Sequence, residues 1–122
     1  MIKKLEIRGV HFKINPKLMA YTTKRIGRLD HYVSKHARES MHAEVILKEE
    51  VKDAKKSCIC EAVIYLPHGT LAAKEATINI YAAIDIVETK LKNQLKKYKS
   101  IHGSPKLHQR VISRFKRSSV ED

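Results

Sequence analysis

From Ile2 to Arg8 apolar and polar residues alternate, with Leu5 and Ile7 opposed to Lys4, Glu6 and Arg8. That two-residue period predicts a strand with one buried face. The next stretch, "INPKL", is a helix start, with Asn15 as N-cap and Pro16 at the first helical position. The spacing of Leu18, Thr22, Ile26, Leu29 and Val33 predicts a buried stripe on a helix running to about Ala37. Gly27 lies inside that helix and weakens it by about 1 kcal/mol relative to Ala. In "MHAEVILKEE", Ala43, Val45 and Leu47 alternate with Glu44, Ile46 and Lys48, a second strand, and "EEVKDAKK" reads as a polar loop. Two further β-rich runs, "SCICEAVIYL" and "TLAAKEATINI", flank Pro67-His68-Gly69, a tight hairpin turn. Last comes "YAAIDIVETKLKNQLKKYKS", where Ile84, Val87, Leu91, Leu95 and Tyr98 step by three or four along one side of a helix.

The predicted order is β-α-β-β-β-α. A first helix this long can cross between two parallel strands, and the later strands form an antiparallel meander. Both helices have a single apolar stripe, so both can pack on one face of a four-stranded sheet. The expected fold is an α/β (α+β) two-layer sandwich. Residues 1–102 make the domain, and residues 103–122, which follow the breakers "HGSP", are expected to be a basic, flexible tail.

Charge changes the picture more than composition does. The chain of 122 residues has a formal charge of +12, with 43% hydrophobic residues. The charge is segregated: residues 1–15 carry +3, 16–40 carry +4, 41–80 carry −1, and 81–102 and 103–122 carry +3 each. Both predicted helices are basic while the middle of the chain is neutral, the distribution expected of a polyanion-binding footprint. On a helical wheel Lys17, Lys24, Arg28, His31 and Lys35 fall together opposite the apolar stripe of the first helix, flanked by Tyr21, Arg25 and Tyr32. In the last helix Lys90, Lys92, Lys96, Lys97 and Lys99 surround the stripe, with no acid after Glu88. The candidate RNA-binding set is Lys24, Arg25, Arg28, His31, Lys35, Lys90, Lys92, Lys96, Lys97 and Lys99. A solvated helix face is what one lysine run means alone; two such helices on one layer favour a shared basic groove. Tyr21 and Tyr32 flank it, placed either to stack on bases or to be partly buried.

Other chemistries find little support. No zinc-finger, recognition-helix or paired strand-aromatic pattern is present, so structured RNA fits better than a DNA operator. No Gly-rich phosphate loop, His-Glu metal motif or nucleophile elbow appears, and the seven histidines are scattered. No cofactor, metal site or enzymatic activity is expected. Asp85 and Glu88 can be read as a catalytic pair, or as acids that offset the dipole near a helix start; the second is the simpler reading. Cys58 and Cys60 share a strand face and are expected to be buried free thiols. No apolar stretch approaches the roughly 18 residues of a membrane span, and the first residues lack a signal-peptide pattern; both point to the cytoplasm.

The last helix resembles that of the ribosome hibernation promoting factor and protein Y family, also labelled sigma factor modulation proteins. The resemblance lies in Tyr81, Ala82, Ala83, Ile84 and Asp85, then Lys90, Leu91, Gln94, Leu95, Lys96, Lys97 and Lys99. The first helix matches the family's basic-leucine rhythm at Arg25, Ile26, Arg28, Leu29, His31 and Tyr32, and the likeness spans roughly residues 1–102. Departures are Ile78, Asn79 and Ile80 where the family has an acidic pair and Met, Asn93 at a frequent arginine, and His31 at a basic position. The resemblance implies a fold similar to a double-stranded RNA-binding domain with an extra first strand. It implies binding to the small ribosomal subunit and its RNA near the decoding centre, where the protein occludes messenger and transfer RNA and inhibits translation in stress or stationary phase. Long members carry a C-terminal module that dimerises ribosomes, for which 122 residues leave no room. A monomer is expected when free. The alternatives are a general structured-RNA-binding or transcription-modulating module and, less favoured, a small α/β enzyme.

Overall fold

In a computed structural model of the chain, residues 1–102 are described. The order is β1 Lys4–Val10, α1 Pro16–Gly27, a 3-10 helix Arg28–Tyr32, α2 Lys35–Ser40, β2 His42–Lys52, β3 Lys55–Leu66, β4 Gly69–Thr77 and α3 Ile80–His102. The tail assignment, residues 103–122, lies outside the described residues.

The four strands form one sheet in the order β1-β2-β3-β4. β1 runs parallel to β2, with Leu5 opposite Ala43 and Ile7 opposite Val45, while β2–β3 and β3–β4 are antiparallel. Alternation decides which face is covered. Ala43, Val45 and Leu47 of β2 and Cys60, Ala62 and Ile64 of β3 are all buried under the helices. From the helix side Leu18, Thr22 and Ile26 of α1 and Ile84, Val87, Leu91 and Leu95 of α3 meet them, each at most 2% exposed. α1 packs on β1, α3 packs on β3 and β4, and the two helices touch each other. The opposite sheet face carries a charge ladder, Lys48 and Lys74 at 3.4 and 3.8 Å from Glu61.

The first helical region departs from expectation. Asn15 does cap α1, accepting from the Leu18 amide at 2.7 Å behind Pro16. The α-helix then stops at Gly27 instead of running to Ala37. The break lies where the strand lead-in meets the helix: the Gly27 carbonyl accepts from the Ile2 amide at 2.9 Å, and a Cβ on Gly27 would lie 2.6 Å from the Met1 Cε. Gly27 keeps helical backbone as the N-cap of the 3-10 helix, so the winding tightens there from α to 3-10. Val33 then takes extended backbone, and Ser34 caps α2 by accepting from the Ala37 amide at 3.3 Å. Leu29 and Val33 nevertheless stay buried at 1% each, so the apolar stripe holds although the helix does not.

"EEVKDAKK" is a hairpin and not a loop. β2 and β3 pair from His42–Tyr65 out to Lys52–Lys55, closed by Asp53 and Ala54 with φ of 54° and 62°. Two successive left-handed residues match the twist of a two-residue hairpin turn. Beyond the reach of β1 and β4, the arm stands as a two-stranded ribbon. The β3–β4 turn is the expected one, Pro67-His68 between the paired Leu66 and Gly69. Gly9 is needed where the chain doubles back after β1, since a Cβ there would lie 2.0 Å from the Phe12 carbonyl oxygen.

Candidate nucleic-acid interface

α3 begins where Asn79 caps it: the Tyr81 amide donates to the Asn79 Oδ1 at 2.9 Å. No acid lies in its first turn. Asp85 and Glu88 sit further along and face α1, which corrects the dipole reading. Glu88, 10% exposed at its side chain, accepts from the Arg28 Nε at 2.8 Å and from the Arg25 Nη1 at 3.5 Å. Asp85 accepts from the Tyr21 hydroxyl and lies 3.6 Å from the Arg25 Nε. Tyr21 stacks edge-on against Tyr81 at 4.9 Å, and the Arg25 guanidinium lies 5.0 Å from its ring centre. The hydrogen bond to Asp85 raises the Tyr21 phenol above its ordinary value, and the bond to Glu88 raises the Arg28 guanidinium in the same way. These carboxylates therefore tie α1 to α3.

The ten candidate cations accordingly separate. Arg25 and Arg28 are ion-paired with Asp85 and Glu88 of α3, with side chains still 34% and 46% exposed. Lys90 turns to the other flank of α3, where its Nζ lies 2.7 Å from Glu75 and donates to the Lys74 carbonyl at 3.2 Å. That contact holds the Glu75 carboxyl below its ordinary range. Gln94, one turn on, donates to the Ala72 carbonyl at 2.9 Å. The two side chains cover the outward carbonyls of edge strand β4, which would otherwise offer a template for strand pairing.

Lys92, Lys96, Lys97 and Lys99 form the remaining group on α3. Among the described residues no carboxylate pairs with any of them. Lys92 and Lys96 point toward the 3-10 helix, with their Nζ atoms 5.7 and 5.9 Å from the ring centre of Tyr32. Lys24 and His31 are exposed on α1 and the 3-10 helix. Lys35 lies apart, on α2, in a shallow pocket with Lys3, Asp30, Arg38 and Glu39. The break at Gly27 removes it from the single wheel face that a continuous helix would have given.

Tyr32 and Gln94 are both visible in the sequence, Tyr32 as a flank of the basic face and Gln94 in the family-like helix; only the fold supplies their partners, Lys92 and Lys96 beside the Tyr32 ring and the Ala72 carbonyl of edge strand β4 for Gln94. Both expected thiols are buried and free, and burial pushes the Cys60 thiol up to about 12. Among the described residues no cluster of His, Cys, Asp or Glu has the form of a metal site, and no helix is long and apolar enough to cross a membrane.

Residues 5–102 match the profile of the family described as sigma 54 modulation protein / S30EA ribosomal protein. The chain is 31% identical over 97 residues to a ribosome hibernation promotion factor of Lactococcus lactis subsp. cremoris, covering 80% of this chain and 50% of that protein. A protein of the same name from Staphylococcus aureus is 32% identical over 97 residues, covering 80% and 48%. The chain thus spans about half the length of these curated relatives. The Thermus thermophilus protein Y N-terminal domain superposes with a TM-score of 0.64 at 26% identity, covering 76% of this chain and 94% of that one. A ribosomal subunit interface protein from Coxiella burnetii shares the fold, with a TM-score of 0.64 at 24% identity, covering 79% and 97%.

Proposed function

The chain belongs to the sigma 54 modulation protein / S30EA ribosomal protein family, and from that premise we propose that it is a cytoplasmic ribosome hibernation factor that binds the small ribosomal subunit. It acts by occlusion. The rigid two-layer body sits in the decoding region and fills space that messenger and transfer RNA need, so translation stops without any bond being made or broken. The observation that carries this reading is the run of cations on α3, Lys92, Lys96, Lys97 and Lys99, without a carboxylate partner among the described residues on a helix anchored by the fully buried Ala83, Ile84, Val87, Leu91 and Leu95. A rigid helix holding charge at fixed spacing suits a folded RNA backbone, and releasing counterions from the phosphates supplies affinity.

In this reading Lys92, Lys96, Lys97 and Lys99, with Lys24 and His31 beside them, contact ribosomal RNA, and Lys35 extends the footprint along α2. Arg25, Arg28 and Lys90 act one step back: they hold α1, α3 and β4 in the arrangement that presents the others. The names of the relatives support the ribosome as partner, and the protein acts as a monomer.

Sedimentation of ribosomes through sucrose gradients with and without the protein, alongside cell-free translation, tests the proposal. The protein should travel with the small subunit and lower translation in proportion to occupancy. Binding without inhibition would rule out occlusion, and no binding at all would rule out the ribosome as partner.

A further inference from the structure

Two tyrosines flank the basic face in the sequence, and the fold treats them in opposite ways. Tyr21 is consumed inside the protein: its hydroxyl goes to Asp85, its ring meets Tyr81 edge-on, and Arg25 lies over it. Tyr32 ends the 3-10 helix, half-buried, with part of its ring against the core. Its remaining surroundings are cationic. Lys92 and Lys96, one turn apart on α3, place both ammonium groups within 6 Å of this one ring centre, at 5.7 and 5.9 Å. Neither lysine has a carboxylate partner among the described residues.

Two like charges sharing one aromatic quadrupole repel each other, and each gains little from the ring at an exposed site. Lysine stems are flexible enough for the heads to swing away while the stems stay packed. An arriving anion therefore draws the ammonium groups off the ring and uncovers a π-face held rigidly by the core. A carboxylate would satisfy the lysines and leave that face bare to water. A nucleotide satisfies both, its phosphates taking the ammonium groups and its base taking the ring. Base faces are hidden inside a duplex stack, so the nucleotide must be unpaired.

We propose that Tyr32, Lys92 and Lys96 form a nucleotide position in which an unpaired RNA base stacks on the Tyr32 ring while the two lysines hold its flanking phosphates. This rests on the reading that the basic face binds ribosomal RNA, and it adds that the contact is not charge alone. Stacking tolerates any base, so the position fixes register on the RNA without reading sequence.

The test uses the full chain and purified small ribosomal subunits. Tyr32→Leu keeps an apolar contact with the core and removes the ring; it should weaken binding about five-fold or more. The slope of log affinity against log salt should stay that of the parent, because no phosphate contact is lost. Lys92→Gln with Lys96→Gln should weaken binding and make that slope shallower. The chain has no tryptophan, so Tyr32→Trp adds a single fluorophore at the position; it should bind like the parent, with emission quenched on saturation. Unchanged affinity in a folded Tyr32→Leu, a shallower slope in it, or undiminished Trp emission in the bound complex would each overturn the proposal. If Tyr32→Leu does not fold, the Trp variant decides. Failure of the parent chain to bind subunits sinks the ribosomal reading together with this one, whereas binding without quenching sinks only the stacking.

Discussion

The Arg28 Nε donates to the Glu88 Oε2 at 2.8 Å, from a side chain half in solvent to a carboxylate 10% exposed. The two residues lie 60 positions apart in sequence. A cation that charge counting offers to a partner has an acid partner of its own, and with Arg25 on the same carboxylate it fastens α1 and the 3-10 helix to α3. The groove between the helices is thereby closer to neutral than its residue list implies. The positive edge lies beyond it, on the C-terminal half of α3.

Glu88→Gln separates holding from binding. The amide keeps the shape and loses the charge that two arginines share, so the folded state should weaken, with a midpoint of thermal unfolding lower by about 5 °C. Affinity for small subunits should stay or rise, since two guanidinium groups are released toward the RNA side. A stable variant with much weaker binding would mean that the Arg28–Glu88 pair belongs to the contact itself.

Charge reversal should discriminate among lysines. Replacing Lys92, Lys96 and Lys97 by Glu should lower affinity by about a hundred-fold or more while unfolding stays cooperative, because all three lie outside the buried stripe. Reversing Lys52, Lys55 and Lys56 on the β2–β3 arm should cost far less. If roughly six phosphates are engaged, the parent's slope of log affinity against log salt should be about −4 to −5. Lys90→Gln should leave the slope unchanged and act instead on the β4 edge. Equal losses from both triples, in pull-downs at fixed salt, would reduce the interface to nonspecific charge.

Backbone strain at the arm gives a prediction of opposite sign. Ala54 has a φ of 62°, a conformation that an L side chain adopts at a cost and glycine does not. Ala54→Gly should stabilise the protein by about 0.5–1 kcal/mol in urea unfolding, with an unchanged m-value. It should leave ribosome binding untouched.

Cys60 should make stability fall at alkaline pH. In the unfolded chain its thiol ionises near the ordinary value of 9.0, whereas burial holds its proton to about 12 in the folded protein. Only the unfolded state releases a proton between those values, so this contribution is intact below pH 9 and is lost as pH rises toward 12. Cys60→Ala should flatten the decline between pH 9 and 11 relative to the parent. At pH 8 iodoacetamide should leave both thiols of the native protein largely unmodified and label them rapidly in denaturant.

Much of the fold was legible because its signals are local. The alternation of Ala43, Val45 and Leu47 and the stepping of Ile84, Val87, Leu91 and Leu95 place each of these residues against the core, and all are buried. Asn15-Pro16 marked the start of α1 for an equally local reason: a side-chain acceptor three residues from the amide it caps. The hairpin arm was missed through reading polarity where backbone geometry decides. Asp53 and Ala54 form a two-residue turn although neither is glycine, and the polar residues around them are strand because the β2–β3 ladder continues out to Lys52–Lys55. The Ser34 cap of α2 is absent from the sequence reading, because the apolar stripe through Leu29 and Val33 continues past the end of α1 and reads as one helix.

By itself, then, the sequence determined the layers, the order of the strands, the buried stripes and the segregation of charge, since periodicity and net charge are properties of neighbours along the chain. Tertiary structure alone decided where the helix ends and which cations, among the described residues, have a carboxylate partner. α1 gives way to the 3-10 helix at Gly27, whose carbonyl meets the Ile2 amide, and Arg25, Arg28 and Lys90 are ion-paired because packing brings Asp85, Glu88 and Glu75 beside them. Tyr32 lies beneath two lysines for the same reason, since α3 packs against the 3-10 helix. Ion pairs and ring contacts form between groups that are close in space, and a helical wheel holds no information about what lies across from it.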